Sequence, residues 1–229
     1  MHQSFVDAGL GHLRTDAYSS RHIFDCPGST ASPMSLNPIS GTRYTGLAIG
    51  LHWLIAVAIT GSFALGLYMH ELPLSPQKLR LYSWHKWAGV TIFVFVAVRL
   101  GWRLLHRPPG LPAAMPAWQR TVATATHVLL YLLMFAVPLS GWLMSSAKGF
   151  QTVWFGILPL PDLLAKNAEL GKLLAEVHEL LNFGMAALVI AHLGAALKHH
   201  FMDRDDVLAR MLPALRSTPR STPLSGDRK

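Results

Sequence analysis

Glu176–Phe201, EVHELLNFGMAALVIAHLGAALKHHF, is the stretch whose reading decides the fold. Its middle is apolar enough for a lipid bilayer, yet His178 stands near one end and His192 fourteen residues further on. A polar ring inside a membrane helix is costly unless something binds it. Fourteen residues at about 100° each return a helix to within about 40° of its starting direction, about 21 Å along its axis. The two imidazoles therefore point to nearly the same side of one helix, at two depths.

The rest of the chain supports a helix that spans a membrane. Of its 229 residues, 51% are hydrophobic and 14% charged, with a mean hydropathy of +0.32. A soluble domain carries about a quarter of its residues as charges. A hydrocarbon core needs about 20 mostly apolar residues per helical span. Gly46–Met69, Trp84–Leu105, Thr121–Met144 and Leu173–Leu197 each satisfy that length. Barrel strands are about 9–11 residues long and alternate in polarity, which these runs do not. The fold class expected is an all-α, four-helix bundle integral to the membrane.

The formal charge of +8 reads as topology rather than as a nucleic-acid footprint. If the N-terminus is cytoplasmic, the inner flanks hold Arg43, Arg103, Arg107, Arg120, Lys198 and the basic residues out to Lys229. The opposite flanks interleave Lys78, Arg80, Lys86, Lys148, Lys166 and Lys172 with Glu71, Asp162, Glu169, Glu176 and Glu179. Positive-inside bias then places both termini in the cytoplasm. Cys26 is the one cysteine, so disulfides, thiolate-held iron–sulfur clusters and covalent CxxCH haem attachment are excluded by arithmetic.

Residues 1–41 are polar and rich in Ser, Gly and Pro, without the basic and apolar regions of a secretory signal. They are expected to be a disordered extension, with Met34 a candidate for the true start. Residues 42–213 are expected to form the bundle, and 214–229 a flexible basic tail. The connection Ser145–Lys172 contains VWFGILPLPDLLA and is expected to lie along the outer surface, with Trp154 and Phe155 at headgroup depth.

Depth sorts the histidines into two levels. His52 lies six residues into the first segment, about 9 Å deep, at the inner level with His192. His85 and His178 share the outer level. Each level thus has two imidazoles from two helices, the axial requirement of a six-coordinate b-type haem. Zinc or copper would want three or four ligands converging on one point.

Fourteen residues past His52 comes Gly66, and fourteen past His127 comes Gly141. Both glycines are expected at the outer level, where the absence of a side chain makes room for a flat macrocycle. Fourteen past His85 is Arg99, expected at the inner level either against a haem propionate or snorkelling to the headgroups. His127 is a ligand, a quinone-site proton group or plain packing. His199 and His200 read as interfacial. The small stripe Gly184, Ala187, Ala191 and Gly194 reads as a close helix-packing face.

RYTGLAIGLHWLIAVAI, WHKWAGVTIFVFVAVRL, HVLLYLLMFAVPLSGWLM and VHELLNFGMAALVIAHLGAALKHHF resemble, in order, the four helices of the bacterial cytochrome b561 family. The resemblance runs from Thr42 to Pro213, and the N-terminal extension departs from it. It implies two non-covalent haem b groups with bis-histidine ligation, a place in the bacterial cytoplasmic membrane, and electron exchange with quinone. The family's ligand positions fall on His52, His85, His178 and His192, and its helix-three histidine falls on His127.

The expected role is electron transfer between the quinone pool and a redox partner. One family activity is oxidation of superoxide with reduction of ubiquinone, for which Lys78, Arg80, Lys86, Lys148 and Lys172 could steer the anion. The alternatives are the haem-bearing anchor subunit of a larger dehydrogenase or hydrogenase, and a haem-free transporter that uses histidines as proton relays or metal sites.

Overall fold

The protein, described as a computed structural model, is placed over residues 44–106, 108–110 and 115–212. The expectations for 1–41, Arg43, Arg107 and the chain beyond Leu212 lie outside the described residues.

Helix α1 (Gly46–Glu71) starts at Thr45, whose hydroxyl accepts from the Ala48 amide at 3.3 Å and so satisfies one orphan N–H of the first turn. Helix α2 (Pro76–Leu105) starts at Ser75, with Pro76 at a position whose N–H would have no partner. The Lys78 ammonium donates to the carbonyls of His70 and Leu72. That contact closes the C-terminus of α1 and pins the short turn between the two helices. Helix α3 (Ala117–Ala147) passes through Pro138 and stops before Gly149, whose φ of 77° suits a residue without Cβ. Helix α4 (Ala168–Lys198) begins at Asn167, which accepts from Leu170 at 3.0 Å, and carries Glu169 in its first turn. A π-turn (His199–Asp203) and a short helix α5 (Val207–Met211) follow.

These four long helices are each long and apolar enough to cross a membrane. Their ends correct the sequence bounds. Helix α2 begins at Pro76 rather than Trp84, α3 at Ala117 rather than Thr121, and α4 at Ala168 rather than Leu173; α1 runs on to Glu71. Hydropathy detects only the stretch suited to hydrocarbon, whereas caps decide where the backbone ladder starts and stops.

The helices pack in chain order, α1 on α2, α2 on α3 and α3 on α4. Neither α1 nor α2 packs closely along α4. At mid-height Ile55, Ile92 and Val96 form a buried layer, with Phe95, Tyr131, Met134 and Phe135 against it. Val57, Leu180 and Ile190 face outward, the arrangement expected when lipid is the solvent. The stripe Gly184, Ala187, Ala191 and Gly194 is exposed, and a Cβ built at Gly184 or Gly194 meets nothing within 4 Å. That corrects its reading as a packing face within the chain: α4 turns its other side to α3.

Between α3 and α4 lie two antiparallel strands, β1 (Val153–Trp154) and β2 (Leu158–Pro159), with Trp154 opposite Leu158. The hairpin folds back onto α2. The Trp87 indole donates to the Val153 carbonyl at 2.6 Å and the Trp154 indole to Thr91 Oγ1 at 3.2 Å. Trp154 therefore spends its N–H inside the protein, while Phe155 is exposed. This hairpin marks one end of the bundle, called here the hairpin level. The end where α1 starts and α4 finishes is the terminal level.

Candidate cofactor-binding site

The hairpin level brings His85 of α2 to His178 of α4, with ring centroids 6.2 Å apart. The terminal level brings His52 of α1 to His192 of α4 at 6.4 Å. Both pairs bridge helices that do not pack closely on one another, so each imidazole faces its partner across the seam beside α4. Two metal–imidazole bonds of about 2 Å, with about 1 Å from each nitrogen to its ring centre, put coaxial rings about 6 Å apart. The spacing of both pairs fits one metal centre between them.

Hydrogen bonding at His178 settles which ring nitrogen is available there. Its Nδ1 lies 3.1 Å from the Val137 carbonyl and 3.0 Å from Ser140 Oγ. A carbonyl has no hydrogen to give, so Nδ1 carries the proton and donates. The Ser140 hydroxyl donates its own hydrogen to the same Val137 carbonyl at 2.8 Å, leaving its lone pairs to accept from His178. Nε2 is then the nitrogen with a free lone pair, and a metal-binding histidine has this arrangement of a carbonyl behind and a lone pair in front. His85 Nδ1 similarly meets Ser62 Oγ at 3.3 Å. Ser140 is buried, 6% exposed, so these bonds are sheltered from competing water.

The two glycines also take up definite places. A Cβ at Gly141 would stand 3.0 Å from His178 Cε1, and one at Gly66 would stand 3.4 Å from His85 Cε1. Each glycine faces the hairpin-level histidine of a neighbouring helix, and a larger residue there would displace the ring. A cavity adjoins the pair, bounded by Ser62, Phe63, His85, Met134, His178 and Asn182. The space at each glycine is taken by an imidazole ring rather than left open for a flat macrocycle; the donor set and the adjoining cavity fit a haem held by two imidazoles.

The terminal level is built differently. Arg99 Nη1 donates to the Ala48 carbonyl at 2.5 Å, and Nη2 lies 3.4 Å from His52 Nδ1. Arg99 thus reaches the depth of His52, as the spacing from His85 predicts, and bonds to α1 within the protein. His127 sits with its ring 5.4 Å from that of His192. In the last turn of α2, Arg103 stands over the Tyr131 ring at 5.8 Å. His199 belongs to neither level pair. It lies 2.7 Å from Asp205 and 3.1 Å from Asp203, beside the Lys198–Asp203 ion pair at 2.6 Å, and is half-buried at the end of α4.

Sequence reasoning missed Ser62 and Ser140. A signal was available: Ser140 adjoins Gly141, and Ser62 lies one turn before Gly66 on the same helix face. Of the cations expected to steer an anion, Lys78 is held by the end of α1 and Lys172 pairs with Glu169 at 3.0 Å. Lys86, next to His85, donates to Ser145 Oγ, Phe150 O and Gln151 O.

Residues 43–214 match the family model described as prokaryotic cytochrome b561. Over 172 residues, 74% of this chain and 91% of the relative, the chain is 37% identical to cytochrome b561 homolog 2 of Escherichia coli (strain K12). It is 30% identical to cytochrome b561 homolog 1 of the same organism, over 75% of this chain and 97% of the relative. A protein of Yersinia pestis named probable superoxide oxidase CybB is also 30% identical, over 76% of this chain and 98% of the relative. Four membrane-length helices, facing imidazole pairs and this extent of similarity agree: the chain belongs to the prokaryotic cytochrome b561 family, whose members are haem-b-binding electron-transfer proteins of the bacterial inner membrane.

Proposed function

We propose that the chain carries two haem b groups, one between His85 and His178 and one between His52 and His192, and passes electrons across the membrane to the quinone pool. The observation that carries this reading is the pair of imidazole couples, 6.2 and 6.4 Å between ring centres, at opposite ends of one bundle. When bound, each haem supplies a one-electron couple whose axial positions are both filled by protein, which disfavours oxygen binding at iron. His178 and His192 make α4 the element shared by both sites. Gly66 and Gly141 leave space for the His85 and His178 rings at the hairpin level, and Arg99 offers a half-buried cation to a carboxylate at the terminal level.

Positive-inside bias puts the terminal level on the cytoplasmic side and the hairpin level outside. There the electron donor is a redox partner or a small reductant. The relative named probable superoxide oxidase supports superoxide as that donor. Each superoxide anion gives up one electron and leaves as dioxygen; two such electrons and two protons convert ubiquinone to ubiquinol. Lys86 and Lys148 flank the hairpin level and favour an anionic donor, while His127 beside His192 is placed to exchange protons with a quinone.

The test is a reduced-minus-oxidised visible spectrum of the purified protein with haem quantitation. His85→Ala or His178→Ala should remove one haem, and His52→Ala or His192→Ala the other, each halving the haem content. An unmodified chain without visible absorbance would instead favour a haem-free transporter. Co-purification of a large redox subunit, with no quinone reduction by the isolated chain, would favour an anchor subunit.

A further inference from the structure

Beyond α4 the chain turns back over the terminal end of the bundle. The reversal is made at Arg204, whose φ of 52° is left-handed, and Asp205 holds it. One carboxylate oxygen of Asp205 lies 2.7 Å from His199 Nδ1, and the other accepts from the Val207 amide at 3.0 Å. A single side chain thus ties the end of α4 to the start of α5. Residues Val207 to Leu212 are all half-buried. Helix α5 has only five residues, too few to persist without packing on something else.

Two bonds fasten this segment to the other helices. The Trp53 indole of α1 donates to the Met211 carbonyl at 2.9 Å. Arg210 Nη1 donates to the Gly110 carbonyl, in the connection between α2 and α3, at 2.6 Å. Asp206 pairs with the same guanidinium at 2.9 Å and fixes it on α5. Trp53 also meets the His52 ring edge to face, with centroids 5.4 Å apart. The segment therefore runs from the end of α4 to α1, across the end of the seam that holds His52 and His192.

That placement separates two kinds of electron acceptor. Helix α1 does not pack closely on α4, so a quinone dissolved in the bilayer has the flank of the seam to approach. An acceptor dissolved in water has only the end of the bundle, where the segment lies. Controlling access is one way a protein decides what reacts at a metal centre. We infer that Trp53 and Arg210 hold residues 204–212 as a strap that keeps water-borne oxidants from the terminal-level centre and reserves its electron for an acceptor in the membrane. Both are specificity-determining residues that act through the strap. The inference rests on the two-haem reading and adds to it a selection among acceptors.

Stopped-flow oxidation of the reduced protein in nanodiscs tests it, in a His85→Ala background so that the terminal-level haem is the one observed. The acceptors are ferricyanide, which stays in water and takes one electron, and decylubiquinone, which enters the bilayer and takes two electrons with two protons. Trp53→Phe keeps a ring against His52 and removes the donor to Met211. Arg210→Lys keeps the charge and removes the fork that reaches both Gly110 and Asp206. Each should speed oxidation by ferricyanide about threefold to tenfold, the change in opening expected from one lost hydrogen bond, and leave the quinone rate within about twofold. Faster hydrogen exchange of the Arg210 and Leu212 amides, bonded to the Asp206 and Leu208 carbonyls, should accompany it. Three results would each overturn the inference and leave the function standing: exchange unchanged in both variants, faster exchange with an unchanged ferricyanide rate, or a quinone rate raised as much as that of ferricyanide. A His85→Ala chain without haem, or an unmodified chain with fewer than two, would overturn both.

Discussion

At the scale of single residues, the absence of a side chain at Gly141 matters as much as the histidine it faces. A Cβ there would come within 3.0 Å of His178 Cε1, inside normal contact distance, while Gly184 on α4 has open space. Gly141→Leu is therefore expected to push the His178 ring from its bonds to Val137 and Ser140 and to lose the hairpin-level haem, halving the haem content. Gly184→Leu, turned toward lipid, should retain both. Haem assay of the two purified variants checks this, and full haem content in Gly141→Leu would show that the glycine does not make the room assigned to it. His178 and Gly141 were legible from spacing alone. The tautomer of His178 was not, because it depends on a carbonyl contributed by another helix.

At the scale of elements, the hairpin β1–β2 is held to α2 by a few named bonds rather than by a core of its own. Lys86 donates to Ser145 Oγ at 2.9 Å, Phe150 O at 3.1 Å and Gln151 O at 3.4 Å, while Trp87 and Trp154 fasten the strands. Hydrogen bonds to a charged group contribute about 1.5–3 kcal/mol when sheltered, and less where water competes. Lys86→Met should thus loosen the hairpin by about 1 kcal/mol, speeding exchange of the Gly156 and Leu160 amides roughly fivefold while leaving α3 and α4 protected. Hydrogen exchange by mass spectrometry reads it; unchanged protection in the hairpin would shift the anchoring to the two tryptophans. The sequence pointed to an outer-surface segment here but not to strands, because pairs of two residues leave no periodicity to detect.

At the scale of the whole molecule, the proposed function depends on a charge pattern and on two levels set apart by the length of α4. The hairpin end presents Lys148 at the C-cap of α3 and Lys86 beside His85, with Glu169 pairing Lys172 nearby. If superoxide is the donor, Lys148→Glu should slow haem reduction by on the order of threefold to tenfold at low ionic strength. The difference should vanish in high salt, where the Debye length falls to about 3 Å. Stopped-flow reduction at two salt concentrations measures it, and a variant indistinguishable from the unmodified chain at low salt would argue against steering.

What the sequence determined by itself follows from properties of one helix at a time. Hydropathy marks the membrane-length segments, the rise and turn per residue place His178 and His192 on one face, and the same arithmetic puts Arg99 level with His52. Tertiary structure decided what depends on distances between helices. Only there does α4 stand apart from α1 and α2 so that imidazoles meet at 6.2 and 6.4 Å. Only there does Val137 place its carbonyl behind His178, and Arg99 its charge behind His52. Helical periodicity is local and is written in the residue order; the partners behind each ring come from other segments, and only packing brings them within reach.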